Sequence, residues 1–188
     1  VLKKPRPKLP EPTQEDESLD EAITFTKTTE TPSFSSGLVA PLKTDGNLDR
    51  SEFAVPDAEG APSVSGGSYH AAKDWFAPYS GQDNSEVVAP VGGTIVEVKP
   101  SRGSSGQIFG GVVKLQQDGG VVWVFRHVDP EDLKVGQRVA QSTVIAHVTK
   151  WNDRPASSHC HIEVWKTLEG GYKYENMVDP CKVLKGEI

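Results

Sequence analysis

The sequence predicts a mainly β protein: a single antiparallel sheet, folded as a sandwich or barrel-like unit, with long loops forming a groove and an extended, largely irregular arm before it. Three observations carry this expectation. Short runs rich in β-branched residues follow one another from about Tyr69. Clusters of Gly, Pro, Asp and Ser separate them. No ten-residue stretch repeats its apolar residues at helical spacing. At 188 residues the chain has room for one compact domain with an appendage.

The runs expected as strands are VVAPVGGTIVEVKP (87–100), GVVKLQQ (111–117), VVWVFRHV (121–128), GQRVAQSTVIAHV (136–148) and HCHIEVW (159–165). Asp118-Gly119-Gly120 lies between the second and third and suits a hairpin turn, because Gly accepts the positive φ such turns need. Loops around 80–86, 100–110 and 150–158 are long enough to wall a cleft.

Residues 1–60 form the arm. Its opening stretch, KKPRPKLPEPTQEDESLDEA, is too rich in Pro and charge to bury surface that would offset its ordering entropy. The following ITFTKTTETPSFSSGLVAPL alternates weakly and could add a strand to the domain or to a partner. A solvated linker is the plainer expectation for the whole arm. Charge divides the same way: residues 1–60 carry 7 Lys and Arg against 12 Asp and Glu, and the other 128 residues carry 13 against 14. The acidity belongs to the arm, and the domain is close to neutral.

Several function classes are disfavoured. No basic patch with interleaved aromatics marks a nucleic-acid surface, and no apolar run is long enough to span a bilayer. No signal-peptide pattern is present in the sequence. Cys160 and Cys181 are too few for a disulfide framework, although a bond between them is open if their Cα atoms approach.

Chemistry concentrates in four of the five histidines and one aspartate. His70 and Asp74 stand four residues apart in YHAAKDWFAP, His127 ends a strand before a turn, and His159 and His161 flank Cys160. On a strand, residues i and i+2 share a face, so His159 and His161 point together and Cys160 points away. Imidazole and carboxylate are common zinc ligands, and a catalytic zinc needs only three of them. Five such groups therefore supply a ligand set and two further imidazoles for proton transfer, the inventory of a metallohydrolase. Each alone has an ordinary structural explanation. His147, among apolar neighbours and without a motif partner, is read as structural.

The order of these motifs resembles the LytM/lysostaphin-type peptidoglycan endopeptidases, the M23 metallopeptidase family. The resemblance covers roughly residues 66–184. VVAPVGGTIVEV is similar to the family's Ala-Pro-x-x-Gly-x-Val strand pair, LKVGQRVAQSTVIAHV to its Val-x-x-Gly-x-x-Val turn, and HCHIEVW to its His-Leu-His-Phe-Glu-Val. VDPCKVL matches the Asn/Asp-Pro segment that usually ends the domain. The resemblance implies that His70, Asp74 and His161 bind Zn²⁺ and that His159 and His127 are the catalytic imidazoles. His159 would help deprotonate water and His127 would stabilise the tetrahedral intermediate, with the two roles exchangeable. It further implies peptidoglycan as substrate and an extracellular, periplasmic or virion-associated setting. The acidic, Pro-rich arm lies outside the resemblance; it could dock a protein partner such as a phage tail or secretion assembly, or equally link to a further domain. The alternative is a catalytically inactive scaffold of the same fold, but such relatives lose metal ligands and this chain keeps all five positions. A biotinyl- or lipoyl-type carrier is disfavoured because no modifiable Lys sits at the tight turn.

Three positions depart from the family pattern. Ala72 replaces the Gly of H-x-G-x-D, Phe125 replaces a Tyr, and Cys160 replaces a Leu. Trp75, Trp123, Trp151 and Trp165 are candidates for the groove, with core packing expected for at least half of them.

Overall fold

The structure is a computed structural model that describes residues 37–42, 69–76, 82, 85–100, 110–151 and 158–188, together with the backbone of 55–56; for Tyr69, His70 and Phe76 it describes the backbone alone. Eleven strands lie among these residues: β1 (Val55–Pro56), β2 (Tyr69–His70), β3 (Lys73–Phe76), β4 (Glu86–Val88), β5 (Gly93–Lys99), β6 (Gly111–Gln117), β7 (Val122–Pro130), β8 (Arg138–Val139), β9 (Val144–Val148), β10 (His159–Trp165) and β11 (Met177–Val178). Strands β3 to β11 form one antiparallel sheet of nine, with β11, β10, β7, β6, β5 and β8 side by side. β3 joins β10, and β9 joins β4 to β7. The sheet is not closed into a barrel, which refines the sandwich or barrel-like expectation. β1 and β2 form a separate pair in which Val55 lies opposite His70.

Strand alternation explains the two faces. β6 alternates buried and half-buried residues along its length. Val113 and Leu115 of β6, Trp123 and Phe125 of β7, and Cys160, Ile162 and Val164 of β10 point into the main core. Val112, Val122, Val124 and Trp165 lie on the other face in a smaller cluster with Met177. Trp123 and Phe125 are fully buried, each contributing about 1.5–3 kcal/mol of hydrophobic stabilisation. β6 and β7 turn through Asp118-Gly119-Gly120 as expected, with φ of 96° at Gly119 and 92° at Gly120.

Two features add to the expectation of an irregular arm followed by a mainly β domain. Residues 37–42 pack on the sheet: Val39 N–H donates to the Pro90 carbonyl, Val88 N–H donates to that of Pro41, and Leu42 bridges Val87. Leu42 is buried in the main core, so apolar burial anchors this short piece where its composition alone promised a linker. The rest of the arm lies outside the described residues apart from β1, as does most of the three long loops. The second feature is a helix, α1 (Pro180–Lys185), capped by Asp179, whose side chain accepts from Cys181 N–H, and ended by Gly186. Its single short turn and a half is below the length at which periodicity becomes visible.

Cys160 and Cys181 are both buried thiols, not joined by a disulfide. Cys160 faces the core, as strand alternation requires, and burial together with the nearby Asp74 carboxylate pushes its pKa up.

Candidate active site

The pairing of β3 with β10 sets the centre of the site. Asp74 lies directly opposite His161, and Phe76 lies opposite His159. The Asp74 carboxylate Oδ1 is 2.9 Å from His161 Nδ1 and 3.6 Å from His159 Nε2. One carboxylate oxygen thus faces two imidazole nitrogens. His159 is buried, and the His161 and Asp74 side chains are largely so.

His161 is held from its other side. Its Nε2 lies 3.1 Å from Oε1 of Glu163, and Glu163 is completely buried. Burial works against an imidazolium here, but the hydrogen bonds to Asp74 and Glu163 outweigh it and hold the His161 pKa at about 9. Burial likewise opposes the Glu163 carboxylate; the His161 hydrogen bond and the Arg126 charge overcome it and lower its pKa. The field at the His161 ring therefore favours positive charge.

His127 reaches the site through a break in the sheet. Val112 pairs with Arg126 and Gly111 with Val128, leaving His127 as the extra residue of a β-bulge. Its φ is 62°, one of two positive values among the described non-glycine residues. Strict alternation would place His127 on the core face with Trp123 and Phe125. The bulge restores the core parity at Val128 and turns the imidazole toward the other side, a known use of bulges. Its ring centroid lies 5.0 Å from that of His159 and 6.0 Å from that of His161. Trp151 packs against both His127, at 5.2 Å, and His159, at 4.9 Å.

Of the five residues singled out in the sequence, the structure brings Asp74, His127, His159 and His161 together. His70 has its backbone in β2, just before β3, while its side chain lies outside the described part. Among the described residues no group of three or more His, Cys, Asp and Glu is arranged to hold a metal ion. The donor chemistry nevertheless fits a divalent cation. Asp74 and His161 converge in a field that favours positive charge, and a histidine four residues before Asp74 would complete the three ligands of a catalytic zinc.

His147 is apart from the site, 2.9 Å from Glu131 through Nδ1, in keeping with its structural reading. Trp75 and Trp123 are core residues; Trp151 lines the imidazoles, and Trp165 bonds Glu163. Phe125 points into the main core, on the face opposite Arg126. Ala72 is buried and does not have a positive φ, so the backbone conformation that would demand Gly is not used there. Glu163 and Arg126 are the residues the sequence reading missed. The signal for Glu163 was available: two positions beyond His161, it shares the face of both imidazoles.

Comparisons with known proteins agree with this fold. The catalytic domain of the antimicrobial peptidase lysostaphin from Staphylococcus simulans superposes with a TM-score of 0.51 at 19% identity, covering 73% of this chain and 95% of that one. The solution structure of lysostaphin gives 0.52 at 21% identity, with 71% of this chain and 49% of that longer chain covered. CbpA from L. salivarius REN gives 0.51 at 17% identity, with 78% of this chain and 89% of that one covered. At these identities the likenesses establish the fold. No protein of curated function matches the sequence. No helix among the described residues is long and apolar enough to cross a membrane. The sequence model of peptidase family M23 matches residues 68–180, well over half of the chain and all five of the motif residues, and the chain belongs to that family.

Proposed function

We propose that the chain is a zinc-dependent endopeptidase that hydrolyses peptide bonds in the cross-links or stems of bacterial peptidoglycan. The observation that carries this reading is the meeting of Asp74, His161, His159 and His127 on one side of the sheet, in a chain of the M23 family. His70, Asp74 and His161 would hold Zn²⁺. Bound there, zinc supplies a Lewis acid for the scissile carbonyl and a water with a pKa of about 7.

The chain's own residues do the rest. His159, beside Asp74, accepts the proton of the attacking water and later returns it to the leaving amine. His127, fixed by the bulge and by Trp151, donates to the oxygen of the tetrahedral intermediate. Trp151 packs against both rings and limits their rotation. The substrate places the enzyme in a secreted, periplasmic or virion-associated setting, where the acidic arm would dock a protein partner.

Purified peptidoglycan digested with the chain, its products followed by mass spectrometry, tests the reading. New amino termini that disappear with a strong chelator and return with Zn²⁺ are expected, and their position names the bond. A folded, zinc-loaded chain that releases no peptide from walls of either Gram type would point instead to an inactive scaffold.

A further inference from the structure

We propose that Glu163 is a positioning residue for His161: it accepts the Nε2 proton, fixes the ring in one tautomer and orientation, and so presents the Nδ1 lone pair to the metal beside Asp74. This inference rests on the zinc reading above.

Four observations lead to it. First, strand parity puts His159, His161, Glu163 and Trp165 on one face of β10. Second, each oxygen of Glu163 has its own donors. Oε1 accepts from Arg126 Nε at 2.5 Å and lies 3.1 Å from His161 Nε2. Oε2 accepts from Trp165 Nε1 at 2.7 Å. Third, those donors are themselves pinned. Arg126 lies opposite His161 across β7 and β10 and 5.4 Å from the Tyr172 ring centroid. Lys114 stands 4.5 Å over the Trp165 ring. Fourth, Glu163 is completely buried. Removing a carboxylate from water is expensive, and apolar residues of similar volume usually serve stability as well as a buried ion pair does. Packing therefore gives no reason for a carboxylate at this position, whereas orienting His161 does.

With a metal ion in place of the Nδ1 proton, His161 would be a neutral imidazole with two distinct nitrogens. The nitrogen that donates to a fixed acceptor keeps its proton, and the other is left with the lone pair. Rotating the ring, or moving the proton to Nδ1, would turn an Nε2 lone pair toward the Glu163 carboxylate. Arg126 and Trp165 prevent Glu163 from withdrawing to relieve that repulsion. The direction of His161 is thus set from behind, by residues at the ring nitrogen remote from Asp74.

The test uses the full chain and zinc alone as the probe. Zinc affinity is measured by competition with a chromogenic chelator for the wild type, Glu163→Leu and Glu163→Gln, with folding followed by circular dichroism. Glu163→Leu should weaken zinc binding by about 10–100-fold. Glu163→Gln, whose amide oxygen can still accept from Nε2, should lose less. Nitrogen-15 NMR of the zinc-loaded wild type, which needs no substitution, should show the His161 proton on Nε2 and none on Nδ1. Wild-type affinity in a folded Glu163→Leu chain would overturn the inference while leaving the zinc reading intact, and so would a His161 proton on Nδ1. A wild-type chain that binds no zinc would overturn the zinc reading itself.

Discussion

Gly110 stands directly against His127 across the bulge in β7. A Cβ added at Gly110 would lie 2.4 Å from the His127 carbonyl carbon, 2.5 Å from its Cα and 2.6 Å from Thr149 Oγ1. Gly110 also has a φ of +87°, a region in which a side chain is strained. The residue that makes room for the bulge is therefore as much a part of the site's construction as the histidine it displays.

Gly110→Ala should move His127 and leave Asp74 and His161 in place. Peptide cleavage should fall by about 100-fold, the cost of misplacing a catalytic group by an ångström or so, with zinc affinity unchanged. Stability should drop by more than about 1 kcal/mol. Steady-state cleavage measured alongside chelator competition separates the effects; a variant as active as wild type would show that His127 does not depend on the bulge.

The two kinds of histidine should part in their response to substitution. His159→Ala and His127→Ala should each retain zinc and lose about 10²–10⁴-fold in turnover, the range for removing a general acid or base. Asp74→Asn and His161→Ala should instead lose the metal. Elemental analysis of the dialysed variants checks this, and zinc retained in His161→Ala would exchange the roles of the two histidines in β10.

Much of this site was legible in the sequence because its residues follow strand parity. His159 and His161 share a face by spacing alone, Cys160 faces the core, and the Asp118-Gly119-Gly120 turn follows from its composition. His127 was legible as a strand-ending histidine, but its direction was not, since a bulge is set by how β6 and β7 pair. The anchoring of Leu42 depends on its bridge to Val87 and its place in the main core, which no local pattern records. The capping of α1 was signalled by Asp179-Pro180 and Gly186 yet hidden by brevity. Arg126 could not be tied to Glu163 from sequence, because 37 positions separate them.

Glu97 allows a separate check on the sheet. Its carboxylate oxygens lie 2.6 Å from Lys99 and 2.7 Å from Lys114. Burial raises its pKa, but the two lysines outweigh this and lower it. A lowered folded-state pKa gives stability that is present above the unfolded value and lost as pH falls through the folded one. Glu97→Gln should therefore cost about 0.5 kcal/mol at neutral pH, a figure discounted for solvent screening, and progressively less in acid. Urea unfolding at neutral and acidic pH measures it; an equal cost at both would locate the effect in packing and not in charge.

The two thiols should be inert in the folded chain. Cys160 and Cys181 are both buried, and attack by a thiol requires the thiolate. A thiol reagent should label neither until denaturant is added and then label both. Rapid labelling of Cys160 in native buffer would contradict its place in the core.

The central claim is that one zinc, held at Asp74 and His161 with His70, makes this chain a peptidoglycan endopeptidase. Titrating the zinc-depleted chain with Zn²⁺ while following release of peptide amino termini from peptidoglycan tests it most directly. Cleavage should be absent at the start, rise in proportion to added metal and level off at one zinc per chain. Undiminished cleavage by the zinc-depleted chain, or none by the chain carrying one zinc, would contradict the account.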